Sequence, residues 1–237
     1  MDETVLRDRK RLTVFVGDYG SGKTEVALNF ALVLKRHEER VKIVDLDIVN
    51  PYFRTREAAG VLLAAGIELI APTGEQTWAD LPIVLPSVAG AVHDASASVV
   101  LDVGGEAAGS RVLGSLFDSK DEIDYDLLAV LNVNRPFTAD VDSAESVLRK
   151  IEDASGLRVT GLVSNTHLLG GTTPEMVLTG YEVAESLAKR LDVDVRFVSV
   201  EKSVAKELHR ASFSAPIFVI TRYVLLPWEL TAAATAG

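Results

Sequence analysis

Residues 12–34 read LTVFVGDYGSGKTEVALNFALVL: a short β-branched apolar run, a glycine-rich turn, then apolar residues recurring at helical spacing. The turn, GDYGSGKT at residues 17–24, fits the pattern G-x-x-x-x-G-K-[ST] and lies between a predicted strand and a predicted helix, the context its mechanism requires. Gly17, Gly20 and Gly22 let the backbone curl so that successive N–H groups point at one anion, and a helix starting near Gly22 adds the positive end of its dipole. Lys23 can then reach the β- and γ-phosphates of a nucleotide, and the Thr24 hydroxyl can coordinate Mg²⁺. A plain connecting turn has no use for either side chain. The candidate nucleotide-contacting segment is therefore Gly17, Gly20, Ser21, Gly22, Lys23, Thr24 and Glu25.

Outward from this stretch the same alternation continues. Apolar runs at 42–47 (KIVDLD), 67–72 (IELIAP), 98–104 (SVVLDVG), 126–133 (DLLAVLNV), 158–165 (RVTGLVSN), 195–200 (VRFVSV) and 216–226 (PIFVITRYVLL) read as strands. Helical patterns lie at 26–39, 56–66, 82–95, 139–154, 174–190 and 204–209. Strands that are apolar throughout, with no alternation, are buried on both faces, so the expected fold is α/β: a doubly wound, mostly parallel sheet with helices on both sides. No linker, repeat or low-complexity tract divides the chain. One nucleotide-binding domain is expected over residues 1–237, with 230–237 (LTAAATAG) a loosely ordered tail.

Two further segments have the character of phosphate-site partners. In SVVLDVGGE (98–106) a strand ends in Asp102, placed to hold Mg²⁺ through water, and the Gly105 N–H can sense a γ-phosphate. In KIVDLDIVNPYFRTRE (42–57) a strand ends in acidic residues at the carboxyl edge of the sheet, where open α/β folds bind ligands. Asp47 is the candidate to orient the attacking water or contact the metal, and Arg54 and Arg56 could neutralise charge on the phosphoryl oxygens. Asp45, one repeat of the pleat deeper, is open to a structural or a functional reading.

Composition removes other classes. The formal charge is −10 and the pI near 4.9, which disfavours binding of nucleic acid by phosphate neutralisation. The basic run RDRKR (7–11) reads as a solvated lead-in to the first strand. With no cysteine, thiolate metal sites and iron–sulfur clusters are excluded, and His37, His93, His167 and His209 have no ligand-like spacing. No apolar run reaches the roughly 18–20 residues of a membrane span, and residues 1–12 lack the apolar core of a signal peptide, so the expected address is the cytoplasm. The end VLLPWELTAAATAG has no cationic amphipathic face for a membrane surface, and Trp228 reads as packing onto the body.

Taken together, these segments resemble the MinD/ParA/CobQ branch of P-loop nucleotide-binding proteins, of the SIMIBI class. GDYGSGKT resembles the phosphate loop, VDLDIVN the first switch, VVLDVGGE the second, AVLNVNRPFTADVDSAESVLRKI the following strand and helix, GLVSNTH the base-side strand, and VSVEKSVAKELHRASFSAPI the late turn and helix. The resemblance implies an ATP- and Mg²⁺-dependent ATPase cycling between ATP and ADP, a protein partner, and a nucleotide-dependent homodimer. Asp18 stands where that family carries a signature lysine, and Val200 where it often has proline. Guanine readers related to this fold use Asn-Lys-x-Asp or Thr-Lys-x-Asp; here Asn165 is followed by Thr166, His167 and Leu168, which favours ATP over GTP, with Asn165 as the base contact or a turn residue. Two functions stay in play. One is a nucleotide-operated switch on a partner protein. The other is a small-molecule kinase or ATP-dependent ligase or amidase, with Tyr52, Arg54, Arg56, Glu75, Gln76, Trp78 and Glu106 around an acceptor.

Overall fold

The first strand, β1 (Leu12–Val16), is buried at every residue because it lies mid-sheet with a helical layer on each side. A computed structural model describes residues 3–47, 55–71, 86–105, 107–117 and 123–224. The strands that follow are β2 (Val41–Leu46), β3 (Glu68–Ile70), β4 (Ser98–Val103), β5 (Tyr125–Leu131), β6 (Gly161–Ser164), β7 (Asp194–Glu201) and β8 (Ile217–Ile220). They form an eight-stranded sheet of order β3-β2-β4-β1-β5-β6-β7-β8, and every neighbouring pair is parallel. The α/β expectation is met, and the sheet is wholly parallel among the described residues.

The order fixes where a ligand can sit. From β1 the chain crosses to β2, beyond β4; from β4 it crosses back over β1 to β5. Connections leaving β1 and β4 thus depart in opposite directions, and the crevice outside their carboxyl ends is a topological switch point, the usual binding place in open α/β sheets.

Helix α1 (Lys23–Leu34) and α2 (Ala59–Ala64) cover one face of the sheet. The other carries α3, helical over residues 86–93, together with α4 (Ala107–Leu116), α5 (Val141–Ser155) and α6 (Pro174–Leu191), and α7 (Lys202–Ala205) follows β7. On the α1 face a chain of aromatic contacts joins the elements: Phe15 to Phe30 at 5.3 Å, Phe30 to Phe197 at 6.3 Å, and Phe197 to Phe218 at 5.3 Å between ring centroids. Capping residues set the helix starts. Asp140 accepts from Ser143 N at 2.8 Å to open α5, and Thr173 accepts from Met176 N with Pro174 in the first turn of α6.

Differences from the sequence expectation are local. Helix α4 is absent from the sequence reading. The 56–66 helix begins as a 3₁₀ turn over Thr55–Ala58, and the 204–209 helix instead occupies Lys202–Ala205. Among the described residues the last apolar run pairs over Ile217–Ile220, because Thr221 to Val224 turn to α1: Asn29 bonds both Thr221 O (2.7 Å) and Thr221 N (2.8 Å). The basic lead-in is tied to the body, with Arg11 donating to Val92 O, Asp94 O and Ala97 O, and Lys10 paired to Asp124 at 2.8 Å. The 230–237 tail and Trp228 lie outside the described residues, and no helix among the described residues is long and apolar enough to cross a membrane.

Candidate functional site

Between β1 and α1 the chain turns through Gly17, Gly20 and Gly22, all at positive φ. At Gly22 glycine is required twice over. Its φ of +82° is left-handed, and a Cβ there would lie 2.3 Å from Asn165 Nδ2. No side chain caps the start of α1, so its first N–H groups are left to a ligand or solvent. Lys23 and Thr24 follow at once, both buried.

Pairing brings the acidic residues to this loop. Asp102 near the end of β4 lies opposite Phe15 on one side and Asp45 on the other. Asp45 Oδ1 accepts from Asp47 N at 3.0 Å, and Lys23 Nζ stands 3.6 Å from Asp47 Oδ2. Three buried carboxylates thus share the neighbourhood of one ammonium. The pKa of Asp102 is pushed up to about 7, chiefly by burial and further by Asp45 and Asp47, against the pull of Lys23 and the Thr55 hydrogen bond. Thr55 Oγ1 donates to Asp102 Oδ2 at 2.8 Å, while Asp102 Oδ1 is buried with no hydrogen-bond partner among the described residues. An acceptor oxygen so placed, and a buried Thr24 hydroxyl in the first turn of α1, are oxygen ligands of the kind that suit Mg²⁺, which binds few protein oxygens and keeps the rest for water and phosphate.

The turn after β4 touches the loop directly. A Cβ on Gly105 would fall 2.4 Å from Gly17 O, and one on Gly104 would fall 2.9 Å from Asp47 Oδ1. Behind them α4 presses on the same turn, since a Cβ on Gly109 would be 2.7 Å from Gly104 O. Residues 104–105 are wedged between the phosphate loop and α4, so anything that moves one side is felt on the other.

A second feature adjoins the loop: a cavity bounded by the first turn of α1 and the carboxyl ends of β6, β7 and β8, with Gly22, Asn165, His167, Val200, Ile220 and Arg222 in its walls. Here Asn165 is buried and engaged, its Nδ2 donating to Ser21 O at 2.7 Å and its Oδ1 accepting from Ser199 Oγ at 2.8 Å. Glu25 also borders the cavity, yet its carboxylate accepts from Tyr223 N (2.9 Å) and Val224 N (2.6 Å), holding the segment after β8. Burial drives its pKa up to about 7 against those two bonds.

No protein-family model matches this chain, and no curated protein matches it. Solved structures do. The cell division protein FtsY from Thermotoga maritima aligns with TM-score 0.51 and 16% identity over 81% of this chain and 63% of its own. The signal recognition particle receptor FtsY from Elizabethkingia anophelis, in complex with GDP, gives 0.52 and 16% over 83% and 62%. The 54 kDa signal recognition particle protein from Aeropyrum pernix K1, also with GDP, gives 0.51 and 13% over 81% and 42%. The chain has the α/β P-loop fold of these proteins. It spans less than two thirds of the length of each.

In this P-loop fold the structure gathers Gly17, Gly20, Ser21, Gly22, Lys23, Thr24, Asp45, Asp47, Asp102 and Gly105 around one crevice, with Glu25 and Asn165 on its cavity side. Tyr52, Arg54, Glu75, Gln76, Trp78 and Glu106 lie outside the described residues, as does the side chain of Arg56. Four residues near the P-loop escaped the sequence reading. Arg135 Nε donates to Gly20 O at 3.1 Å, and Asn132 Nδ2 reaches the same carbonyl at 3.3 Å. Thr55 and Ser199 support Asp102 and Asn165. Only knowledge that β5 pairs with β1 would have pointed to LNVNRP (131–136). His167, whose spacing suggested no ligand role, lies against Gly22.

Proposed function

We propose that this chain is a Mg²⁺-dependent P-loop ATPase of MinD/ParA/CobQ type that acts as a nucleotide-operated switch on a protein partner. The observation that carries the reading is the meeting of Lys23, Asp47 and Asp102 beneath an uncapped helix start at the sheet's switch point. Lys23 and the loop N–H groups hold the β- and γ-phosphates, and a phosphate oxygen competes with Asp47 for the ammonium. Thr24 and Asp102 are the residues to hold Mg²⁺, whose charge offsets that of the phosphoryl oxygens. Asp47, released from Lys23, accepts a hydrogen bond from the water in line with the γ-phosphorus. The Gly105 N–H registers whether the γ-phosphate is there, and α4, packed on Gly104, carries the difference outward.

The switch is favoured over a small-molecule kinase, ligase or amidase because Gly104 and Gly105 lie tight against the phosphate loop, Asp47 and α4, a build that suits passing on the presence of a γ-phosphate. Partner contact is supported by exposed apolar residues in the loop and in the segments after β5 and β6: Tyr19 is 57%, Phe137 68% and Leu168 52% exposed. Asp18 in place of the signature lysine leaves a nucleotide-dependent homodimer without that reciprocal contact.

For the base, ATP is the reading supported by Leu168, which removes the carboxylate a guanine reader uses. GDP in two of the similar structures makes GTP the specific competitor. Calorimetric titration with the Mg²⁺ complexes of ATP and GTP decides between them. We expect ATP to bind roughly tenfold or more tightly than GTP, the scale of one unmet buried hydrogen bond; tighter GTP would overturn the base assignment, and phosphate release with neither would overturn the ATPase.

A further inference from the structure

His167 is held more firmly than a loop residue needs to be. Its backbone N–H donates to Asn132 Oδ1 at 3.3 Å, and its carbonyl accepts from Asn132 Nδ2 at 3.2 Å and Asn134 Nδ2 at 3.3 Å. Asn132 Nδ2 also reaches Gly20 O, so the imidazole is set at a fixed position relative to the phosphate loop. Its Nε2 is buried, has no hydrogen-bond partner among the described residues, and lies 3.1 Å from where a Cβ on Gly22 would be. A buried polar nitrogen without a partner is costly unless something outside the chain satisfies it.

Of its neighbours, one is already engaged and one is apolar. Asn165 has its amide oxygen on Ser199 and its nitrogen on Ser21 O, and Leu168 carries no polar atom. The cavity that His167 borders has apolar walls in Val200, Ile220 and Leu169, which suit the faces of a flat ring.

We propose that His167 is a specificity-determining residue that hydrogen-bonds the edge of a purine through Nε2, with the ring in this cavity. The assignment rests on the nucleotide reading above. Burial first, then the guanidiniums of Arg135 and Arg222, push the pKa of His167 down to about 4, so at neutral pH the ring is uncharged and meets the base as a neutral partner.

The test compares two probes that differ only in the presence of a nucleoside: the tighter of Mg·ATP and Mg·GTP, and Mg·tripolyphosphate. Affinities are measured for the unaltered protein and for His167→Phe and His167→Leu, which both remove the nitrogen, and His167→Gln, which returns a polar atom near its place. Expected is a loss of about tenfold on the nucleotide in the Phe and Leu variants, unchanged tripolyphosphate binding, and recovery in the Gln variant. Unchanged nucleotide affinity in the Phe and Leu variants, or equal losses on both probes, overturns the role of His167. If the unaltered protein binds neither probe, the nucleotide reading itself falls, and that is visible before any variant is compared.

Discussion

Lys23→Ala is expected to weaken Mg·ATP binding at least tenfold and, without ligand, to lower stability by about 3 kcal/mol. The first effect is the loss of one charge-assisted phosphate contact, where each factor of ten corresponds to about 1.4 kcal/mol. The second comes from the ligand-free arrangement. Lys23 is 4% exposed and Asp47 2%, with Asp45 and Asp102 beside them, so removing the ammonium takes away a buried positive charge that faces these carboxylates. Breaking a buried pair in this way costs about 3–5 kcal/mol, and the lower end applies because a carboxylate can take up a proton instead. Urea unfolding and calorimetry read the two effects separately. Unchanged affinity would remove Lys23 from the phosphate site, and unchanged stability would mean the ion pair contributes nothing to the resting fold.

Phe30→Ala is expected to cost about 3–5 kcal/mol of stability, the range for emptying a fully buried aromatic position. Phe30 is 1% exposed and stands between Phe15 of β1 and Phe197 of β7, so its ring joins α1 to both halves of the sheet. Phe197 is already packed edge-on against Phe218 and cannot collapse far into the space Phe30 leaves. The loss should appear as a lower urea midpoint at an unchanged slope. A cost under about 1 kcal/mol would show that the face can close over the gap.

The parts of this fold that were legible in the sequence are those governed by burial on two faces. LTVFV, KIVDL and SVVLDV are apolar runs because each is an interior parallel strand, and the P-loop was legible because its glycines, lysine and threonine have no other use at a strand-to-helix turn. Helix α4 was illegible for a packing reason. Its Gly109 and Gly114 read as breakers, yet they are points of close approach, where a Cβ would fall 2.7 Å from Gly104 O and 2.5 Å from Ser155 O. Strand order was equally out of reach, and with it the neighbours that depend on order. Arg135 and Asn132 meet the loop because β5 pairs with β1, and His167 meets Gly22 because β6 is next in line. Asn165 and Glu25 stand in the sequence as candidates and border the cavity, but their bonds to Ser21, Ser199, Tyr223 and Val224 are long-range and leave no periodic trace in the chain.

The central claim is that the γ-phosphate changes the state of residues 104–105 and α4. Hydrogen exchange followed by mass spectrometry on the ligand-free protein, the Mg·ADP form and the form with a non-hydrolysable Mg·ATP analogue tests it most directly. A switch requires the two nucleotides to distinguish two states, because a ligand that binds both equally shifts nothing. Slower exchange is expected over residues 102–116 with the triphosphate than with ADP. Equal protection in the two nucleotide forms would contradict it.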